Sequence, residues 1–421
     1  MKKQGTFTSE GWDFIDIWEI YEDQAYPFLR IKYSGGTGTA DDPYKIAKAA
    51  DITEMAEYVT DYNKYFIMKA DIDMEGQIFT TAIIAADIDP CGGFDGTAFT
   101  GTFDGKGHKI SNFSINGDNN NYIGLFGCIG TGGSVKNLVL ENCQVSGLDY
   151  VGGLAGYNDG GNISQCCLEA AISEHPNSLN IGVSAENEYS SHFSLFFTPV
   201  AVSGFENVGG LVGYNKNAYI TQCYSTVSVG GYFAVGGAAG RNEGIIRNCY
   251  STGNINGYFD SGCVGGLAGY QYQGSIYTSY STGKVSGYYD VGGLLGGSEG
   301  SSFVNESLWD MHTSGQTTSA GGFGKTTEQM MMRSTYQRGW NFITTWAICE
   351  GTNSPRLLWS LPVADFVCPD GVDMADYAFL AGRWMETNCA ADNDCGGADL
   401  DFSGTVELKD LMTFCQAWLD N

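Results

Sequence analysis

The sequence predicts an all-β chain, a parallel β-solenoid (β-helix) of about 28-residue coils, followed by a small α-helical, EF-hand-like unit. Three observations carry this. A Val-Gly-Gly-Leu-x-Gly signature recurs at 151–156, 208–213, 264–269 and 291–296, with Ala238 in the Leu place of 235–240 and a shorter Ile123-Gly124-Leu125-Phe126-Gly127. Between these lies Ile-x-x-Cys-Tyr-Ser-Thr, at 220–226 and 246–252, and at 276–282 with Ser279 for Cys. Near the C-terminus, an acidic twelve-residue stretch at 399–410 runs into an apolar pattern of helical period.

The Leu place falls at 125, 154, 211, 238, 267 and 294, in steps of 27–29 with one doubled step of 57. The doubled step implies a hidden, diverged repeat. Ile181-Gly182-Val183 stands where its Leu motif belongs, and Phe193-x-x-Phe196 lies 27 residues before Ile220-x-x-Cys223. Stacked coils are spaced ~4.8 Å apart, so equivalent side chains form columns. The expected inward column is Leu138, Cys166, Phe196, Cys223, Cys249, Ser279 and Ser307, with Val135, Ile163, Phe193, Ile220, Ile246 and Ile276 beside it. The paired glycines suit either sharp corners or close approach of backbone to backbone.

One residue past the inward column stand Phe197, Tyr224, Tyr250 and Tyr280, which the alternation turns outward. Tyr232, Tyr258 and Tyr288 form a second aromatic column, and Tyr157, Tyr214 and Tyr270 a third. Such columns either bind sugar rings or stack on themselves, at ~0.5–1.5 kcal/mol per pair. Tyr224, Tyr250 and Tyr280 are the candidate ligand-binding residues.

In chain order, five segments emerge. Residues 1–34 read as the closing segment of a preceding repeat unit, because 11–29 aligns without gaps on 339–357. The offset of 328 pairs Gly11-Trp12 with Gly339-Trp340, Trp18 with Trp346, Pro27 with Pro355 and Leu29 with Leu357. The expectation is an N-terminally truncated chain, which accounts for the absence of a signal-peptide core after Met1-Lys2-Lys3. Residues 35–121 hold a Gly/Thr linker, a cap helix and the opening coils. Asp51 is the expected N-cap with Glu54 in a capping box, and Ile52, Met55, Ala56 and Val59 line one face. Within 99–115, Ile110-x-x-Phe113 anticipates Val135-x-x-Leu138. Residues 122–324 are the repeats, 325–360 a closing segment and 361–421 the C-terminal unit.

Composition narrows the function. A net charge of −27 excludes a nucleic-acid partner, which needs a basic face, and suits an extracellular or calcium-binding surface. No apolar run reaches the length of a membrane span. Of 13 cysteines, Cys166, Cys223 and Cys249 read as small buried hydrophobes. Cys368, Cys389, Cys395 and Cys415 are disulfide candidates in an exported protein. The four histidines, His108, His175, His192 and His312, share no register, and no Asp-Asp pair accompanies His108, so no catalysis is expected.

The Gly-Gly-Leu repeat, with Asp41 to Ile46 (DDPYKI), Lys69 to Met74 (KADIDM) and Phe103 to Ile110 (FDGKGHKI), resembles GLUG-motif proteins over roughly residues 1–359. That resemblance implies a bacterial surface or secreted repeat protein and no shared catalytic residues.

In 399–410, Asp399, Asp401, Ser403, Glu407 and Asp410 put oxygen at positions 1, 3, 5, 9 and 12, and Thr405 at position 7 offers its carbonyl. Gly404 at position 6 permits the sharp turn, so the stretch has the pattern of an EF-hand calcium loop. Asp365, Asp373 and Asp376 hold positions 1, 9 and 12 of a second candidate, with Val367 and Pro369 at 3 and 5, Gly371 one place late and Asp370 as compensation. Two loop–helix units in under 60 residues resemble a type I dockerin, which implies Ca2+ and a cohesin-type partner module. The expected protein is a non-catalytic, secreted or cell-surface scaffold or adhesin held through that module. The alternative is a carbohydrate-binding accessory component of a polysaccharide-degrading assembly, with a polysaccharide or cell-surface glycan as partner.

Overall fold

The structure, a computed structural model, describes residues 3–12, 18–20, 23, 26–29, 32–89, 92–170, 201–336, 338–368, 371–389 and 393–419. The protein is mostly β. Twenty-eight strands join one parallel sheet, and a small helical region ends the chain. Three families of strand recur in register. Val151, Val208, Val235, Val264 and Val291 are successive partners, as are Ile163, Ile220, Ile246 and Ile276. The third runs Cys167, Tyr224, Tyr250, Tyr280 and Leu308.

The doubled spacing is an insertion. Val151 pairs directly with Val208 and Ile163 with Ile220, so no layer lies between them. The expected hidden repeat, with Ile181, Phe193, Phe196 and Phe197, falls outside the described residues, and its place in the stack is taken. A 57-residue step is periodic whether it holds two turns of chain or one turn and a long excursion. The chain leaves after Glu169 and rejoins at Val202, which pairs with Val145 on one side and Val229 on the other.

Corners at positive φ recur at two places in the repeat, and neither place is a glycine. Tyr150, Asn207, Ala234, Cys263 and Asp290 take positive φ just before the Val of the Gly-Gly strand. Gln165, Gln222, Asn248, Thr278 and Glu306 do so just before Cys166, Cys223, Cys249, Ser279 and Ser307. The paired glycines serve both expected roles: the second Gly and the Leu form a bend in each repeat, and the backbones approach closely there. A Cβ on Gly210 would lie 2.2 Å from the Gly237 carbonyl oxygen and 2.4 Å from Ser225 Oγ. One on Gly266 would lie 2.2 Å from Gly293 O and 2.7 Å from Ser281 Oγ. The Ser of one signature therefore packs on the second Gly of the other, which is why the two motifs recur together.

Beside the second corner, the backbone N–H loses its regular partner, and the inward column supplies one. Cys223 Sγ accepts from Cys166 N at 3.5 Å, Ser279 Oγ from Cys249 N at 3.0 Å, and Ser307 Oγ from Ser279 N at 3.2 Å. Each side chain also donates to a carbonyl two residues back in its own chain, as Ser279 does to Tyr277 O at 2.7 Å and Cys223 to Thr221 O at 3.3 Å. Thiol and hydroxyl thus fill the same hydrogen-bonding place in the column, the thiol more weakly. Burial holds the Cys166 and Cys249 thiols well above their ordinary pKa, in the neutral form. A parallel amide ladder runs through the interior: Asn158 donates to Asn215 at 3.0 Å, Asn215 to Asn242 at 2.9 Å, and Asn242 to Gln271 at 3.1 Å. Its sequence trace is the residue after Tyr157, Tyr214, Arg241 and Tyr270.

At the N-terminal end, the helix is Ala49–Glu57. Asp51 is its third residue, reaching back to Lys48 N (3.2 Å) and Ala47 N (2.8 Å), and so is not the N-cap. Ile52 and Met55 are buried as expected, whereas Ala56 and Val59 face solvent. In the opening strands Phe103 pairs with Val135 and Ile110 with Leu140, one motif removed from the expected alignment. The duplicated segments match in backbone: Trp18 pairs antiparallel with Leu29 as Trp346 does with Leu357. Asp13 to Ile17 lie outside the described residues.

Ser279→Ala removes the acceptor of a buried N–H and should lower unfolding free energy by about 1–3 kcal/mol. Ser279→Cys should fall within about 1 kcal/mol of wild type, the net worth of one such hydrogen bond. Urea denaturation followed by circular dichroism checks both; equal losses would assign the position to volume alone.

Candidate metal centre

After residue 360 the helices Met374–Gly382 and Leu408–Leu419 are each led in by one of the acidic loops, and a short helix, Asn393–Gly396, lies between them. Its interior is small: Ala364, Val372, Leu380, Ala398, Val406 and Phe414 are buried, and the Cys389–Cys395 disulfide lies among them. A second disulfide, Cys349–Cys368, ties this region to the preceding segment, and Cys415 is free and exposed. Few apolar residues stand behind these loops, so covalent and polar contacts carry much of their order.

In the second loop, the backbone turns its N–H groups onto two buried carboxylates. Asp410 Oδ1 accepts from Leu400 N (2.6 Å) and Asp401 N (3.1 Å), and its Oδ2 from Glu407 N (2.7 Å). Asp399 accepts from Ser403 N (3.0 Å) and Gly404 N (2.8 Å), and Gly404 has φ +90°, the left-handed turn that glycine permits. Asp399 and Asp410 are 2% and 0% exposed. One carboxylate oxygen from each of Asp399, Asp401 and Asp410 lies within 4.8 Å of the other two. Ser403 Oγ donates to Thr405 O at 3.1 Å, bringing both oxygens to the same side. The hydrogen bond from Ser403, with Lys409 at 3.4 Å, holds the Asp401 carboxyl below its ordinary range. The donors are hard oxygens converging on one point, which fits calcium. Asp399, Asp401, Ser403, the Thr405 carbonyl and Asp410 would hold it; the Glu407 side chain faces solvent.

The first loop keeps the frame. Asp376 Oδ1 accepts from Phe366 N (2.7 Å) and Val367 N (2.9 Å), and Oδ2 from Asp373 N (2.9 Å), bond for bond as Asp410 does. Gly371 N donates to Asp365 at 3.2 Å, the part Gly404 plays for Asp399. Val372 and Val406 are the matching buried residues. The Asp373 carboxylate, however, turns to cap its helix at Ala375 N, 2.6 Å. Among the described residues the three-carboxylate convergence is confined to the second loop. Asp370 lies outside them.

The tyrosine column is in place but has no free face. Tyr224, Tyr250 and Tyr280 stack at 4.8 and 5.1 Å with planes 1° and 5° apart, and are 6%, 5% and 2% exposed. They point away from the main core and are roofed by the segment after residue 325. Trp346 lies 6.2 Å from Tyr250 and 6.0 Å from Tyr280, Trp359 lies 5.7 Å from Tyr224, and the Tyr280 hydroxyl donates to Pro355 O. Trp359 Nε1 reaches Gln222 O and Trp340 Nε1 reaches Glu306 O, both at 2.8 Å. Together they are a second hydrophobic core, and the expectation of an open ligand platform is corrected. Burial also pushes all three phenols up in pKa.

The third column is half-buried, with Tyr157 on Tyr214 at 5.3 Å and the Arg241 guanidinium between Tyr214 (5.1 Å) and Tyr270 (5.5 Å). His108 Nδ1 lies 2.9 Å from Asp71 at the surface; His175 and His192 are outside the described residues.

Repeats of this kind are found in other proteins. The GLUG motif matches residues 231–256 and 260–286, inside the parallel sheet. Halomucin of Haloquadratum walsbyi is 36% identical over 127 residues, 30% of this chain and 1% of that protein. A Gly-rich protein of Evansella cellulosilytica, named as a membrane protein, is 36% identical over 137 residues, 30% of this chain and 15% of the relative. The matches therefore span a small part of either relative's length. Among solved structures, a Bacteroides ovatus chain named for an immunoglobulin A1 protease superposes with a TM-score of 0.50 at 22% identity, covering 78% of this chain and 96% of that one. That likeness shows the fold alone.

Tyr280→Ala should destabilise the chain by about 3–5 kcal/mol, the range for emptying a large aromatic site. Thermal unfolding with tryptophan emission checks this; unchanged stability would mean the roof is not seated on the column.

Proposed function

We propose that the chain is a non-catalytic extracellular or cell-surface scaffold, a parallel β-solenoid anchored through a calcium-binding, dockerin-like module to a cohesin-type partner. The division is as the sequence reads: 1–34 and 325–360 as closing segments, 35–121 as cap and opening coils, 122–324 as the solenoid, 361–421 as the module. The observation that carries the anchoring role is the meeting of Asp399, Asp401 and Asp410 in a loop whose frame is repeated at Asp365 and Asp376. The in-register pairing of five successive repeats supports the solenoid. Asn158, Asn215, Asn242 and Gln271 are spent on one another in a ladder, which supports a structural role for that interior.

An exported location is supported by the two disulfides, which persist in oxidising compartments. Among the described residues no helix is long and apolar enough to cross a membrane. The second reading, a carbohydrate-binding accessory of a polysaccharide-degrading assembly, is favoured by exposed aromatics at Phe205, Phe233, Phe259 and Tyr289.

Calorimetric titration of the full chain with calcium should show one saturable site, absent in Asp399→Ala and Asp410→Ala. Addition of a cohesin module should give a complex that forms with calcium and dissociates with chelator. A chain that takes up no calcium, or variants that bind like wild type, would remove the anchoring role.

A further inference from the structure

We propose that the cavity at the Cys128 end of the third tyrosine column, lined by Cys128, Tyr122, Tyr157 and Asp159, is a binding site for an organic cation, an alkylammonium or alkylguanidinium group. The site is independent of calcium and of the anchoring role. The cavity has a volume of about 450 Å³, within the ~300–1,000 Å³ range of small-ligand sites. Phe94 and Thr131 also line it. Tyr122 and Cys128 are 5% and 3% exposed, and Tyr157 and Asp159 are half-buried.

The same column shows what such a place holds. Strand pairing runs through Cys128, Tyr157, Tyr214, Arg241 and Tyr270 in successive layers. The Arg241 guanidinium sits between two rings, 5.1 Å from the Tyr214 centroid and 5.5 Å from that of Tyr270, and its Nε donates to Glu243 Oε1 at 2.9 Å. Asp159 stands in the same row as Glu243, to which the strand pairing leads through Lys216. Tyr157 stacks on Tyr214 at 5.3 Å with planes 21° apart, which turns its other face toward the layer of Cys128. The Cys128 side chain is too short to fill that layer. Ring and carboxylate are therefore in place there, as at Arg241, and the cation's position is the cavity.

Electrostatics select the sign of the ligand. Burial, then the charges of Asp159 and Asp87, push the Cys128 thiol up to about 12, so it stays neutral. Burial, then the charge of Asp159, also raises the Tyr157 phenol. Lys216, the strand partner of Asp159, comes only to 6.0 Å from the Tyr157 centroid, the outer limit of a cation–π contact, and does not line the cavity. A ring face beside a carboxylate attracts a cation and repels an anion, as the net charge of −27 does at longer range. An organic cation, weakly hydrated, gives up water to an aromatic wall more readily than a compact ion does.

The test is saturation-transfer NMR on the full chain in chelator, with choline and with acetyl-arginine amide as probes. Their neutral counterparts are 3,3-dimethylbutan-1-ol and acetyl-citrulline amide. At least one cation should show saturable transfer at millimolar concentration, and its neutral counterpart at least tenfold weaker binding. Transfer to choline marks a free small cation as the ligand, and transfer to the arginine amide alone marks the basic side chain of a partner; either upholds the site. Asp159→Asn should weaken binding at least tenfold with an unchanged circular dichroism spectrum. Tyr157→Leu should do the same and Tyr157→Phe restore it, while Tyr289→Ala, several repeats away, should bind like wild type. No transfer to either cation, equal binding of cation and neutral counterpart, or full binding by folded Asp159→Asn would overturn the proposal. Loss of calcium uptake with retained cation binding would sink the anchoring role and leave this one standing.

Discussion

Buried amides, thiols and hydroxyls of this sheet find partners in the next repeat, and that dependence constrains much of the rest. A corner at positive φ is tolerable for Asn248 or Thr278 because the N–H beyond it is met by a hydroxyl one layer away. The layers must then approach closely, which excludes a Cβ at Gly210 or Gly266 and makes room for the Ser of the neighbouring signature. Asn158, Asn215, Asn242 and Gln271 add a second line of side-chain bonds with the same requirement. A slip of one residue in any layer would break all of these together.

The outer face of the same strands meets a different need. Tyrosines stacked at 4.8–5.1 Å leave a continuous apolar ridge, which a segment some 60–135 residues later in the chain covers with Trp340, Trp346 and Trp359. The local backbone of that segment recurs near the N-terminus.

How much of this was legible in the sequence depends on the range of the interaction involved. The period, the inward column and the outward direction of Tyr224 follow from local alternation, and the structure has them in register. Cys223 and Cys249 are buried in the core as read, but composition does not reveal which backbone groups a corner leaves unpaired, so their hydrogen bonds were not legible. The roof over Tyr250 is long-range, and an outward column looks the same in sequence whether covered or bare. The 57-residue step was misread because spacing does not distinguish a layer from an excursion. At the C-terminus the oxygen pattern gave the second loop directly. Its repetition at Asp365 and Asp376 appears in the backbone bonds more clearly than in the residue types, since Val367 stands where an oxygen was expected.

Direct stacking across the 171–200 excursion can be decided by one measurement. Asn162 and Tyr219 are exposed partners on adjacent strands. Cysteines placed at both positions would have Cα atoms ~4.8 Å apart, within disulfide reach. An intervening layer would hold them at ~9.6 Å, beyond the ~7 Å that a disulfide tolerates. Mild oxidation followed by peptide mass spectrometry should therefore recover a 162–219 cross-link from monomeric protein. Two free thiols at these positions, in folded protein under the same oxidation, would contradict the stacking on which every other contact depends.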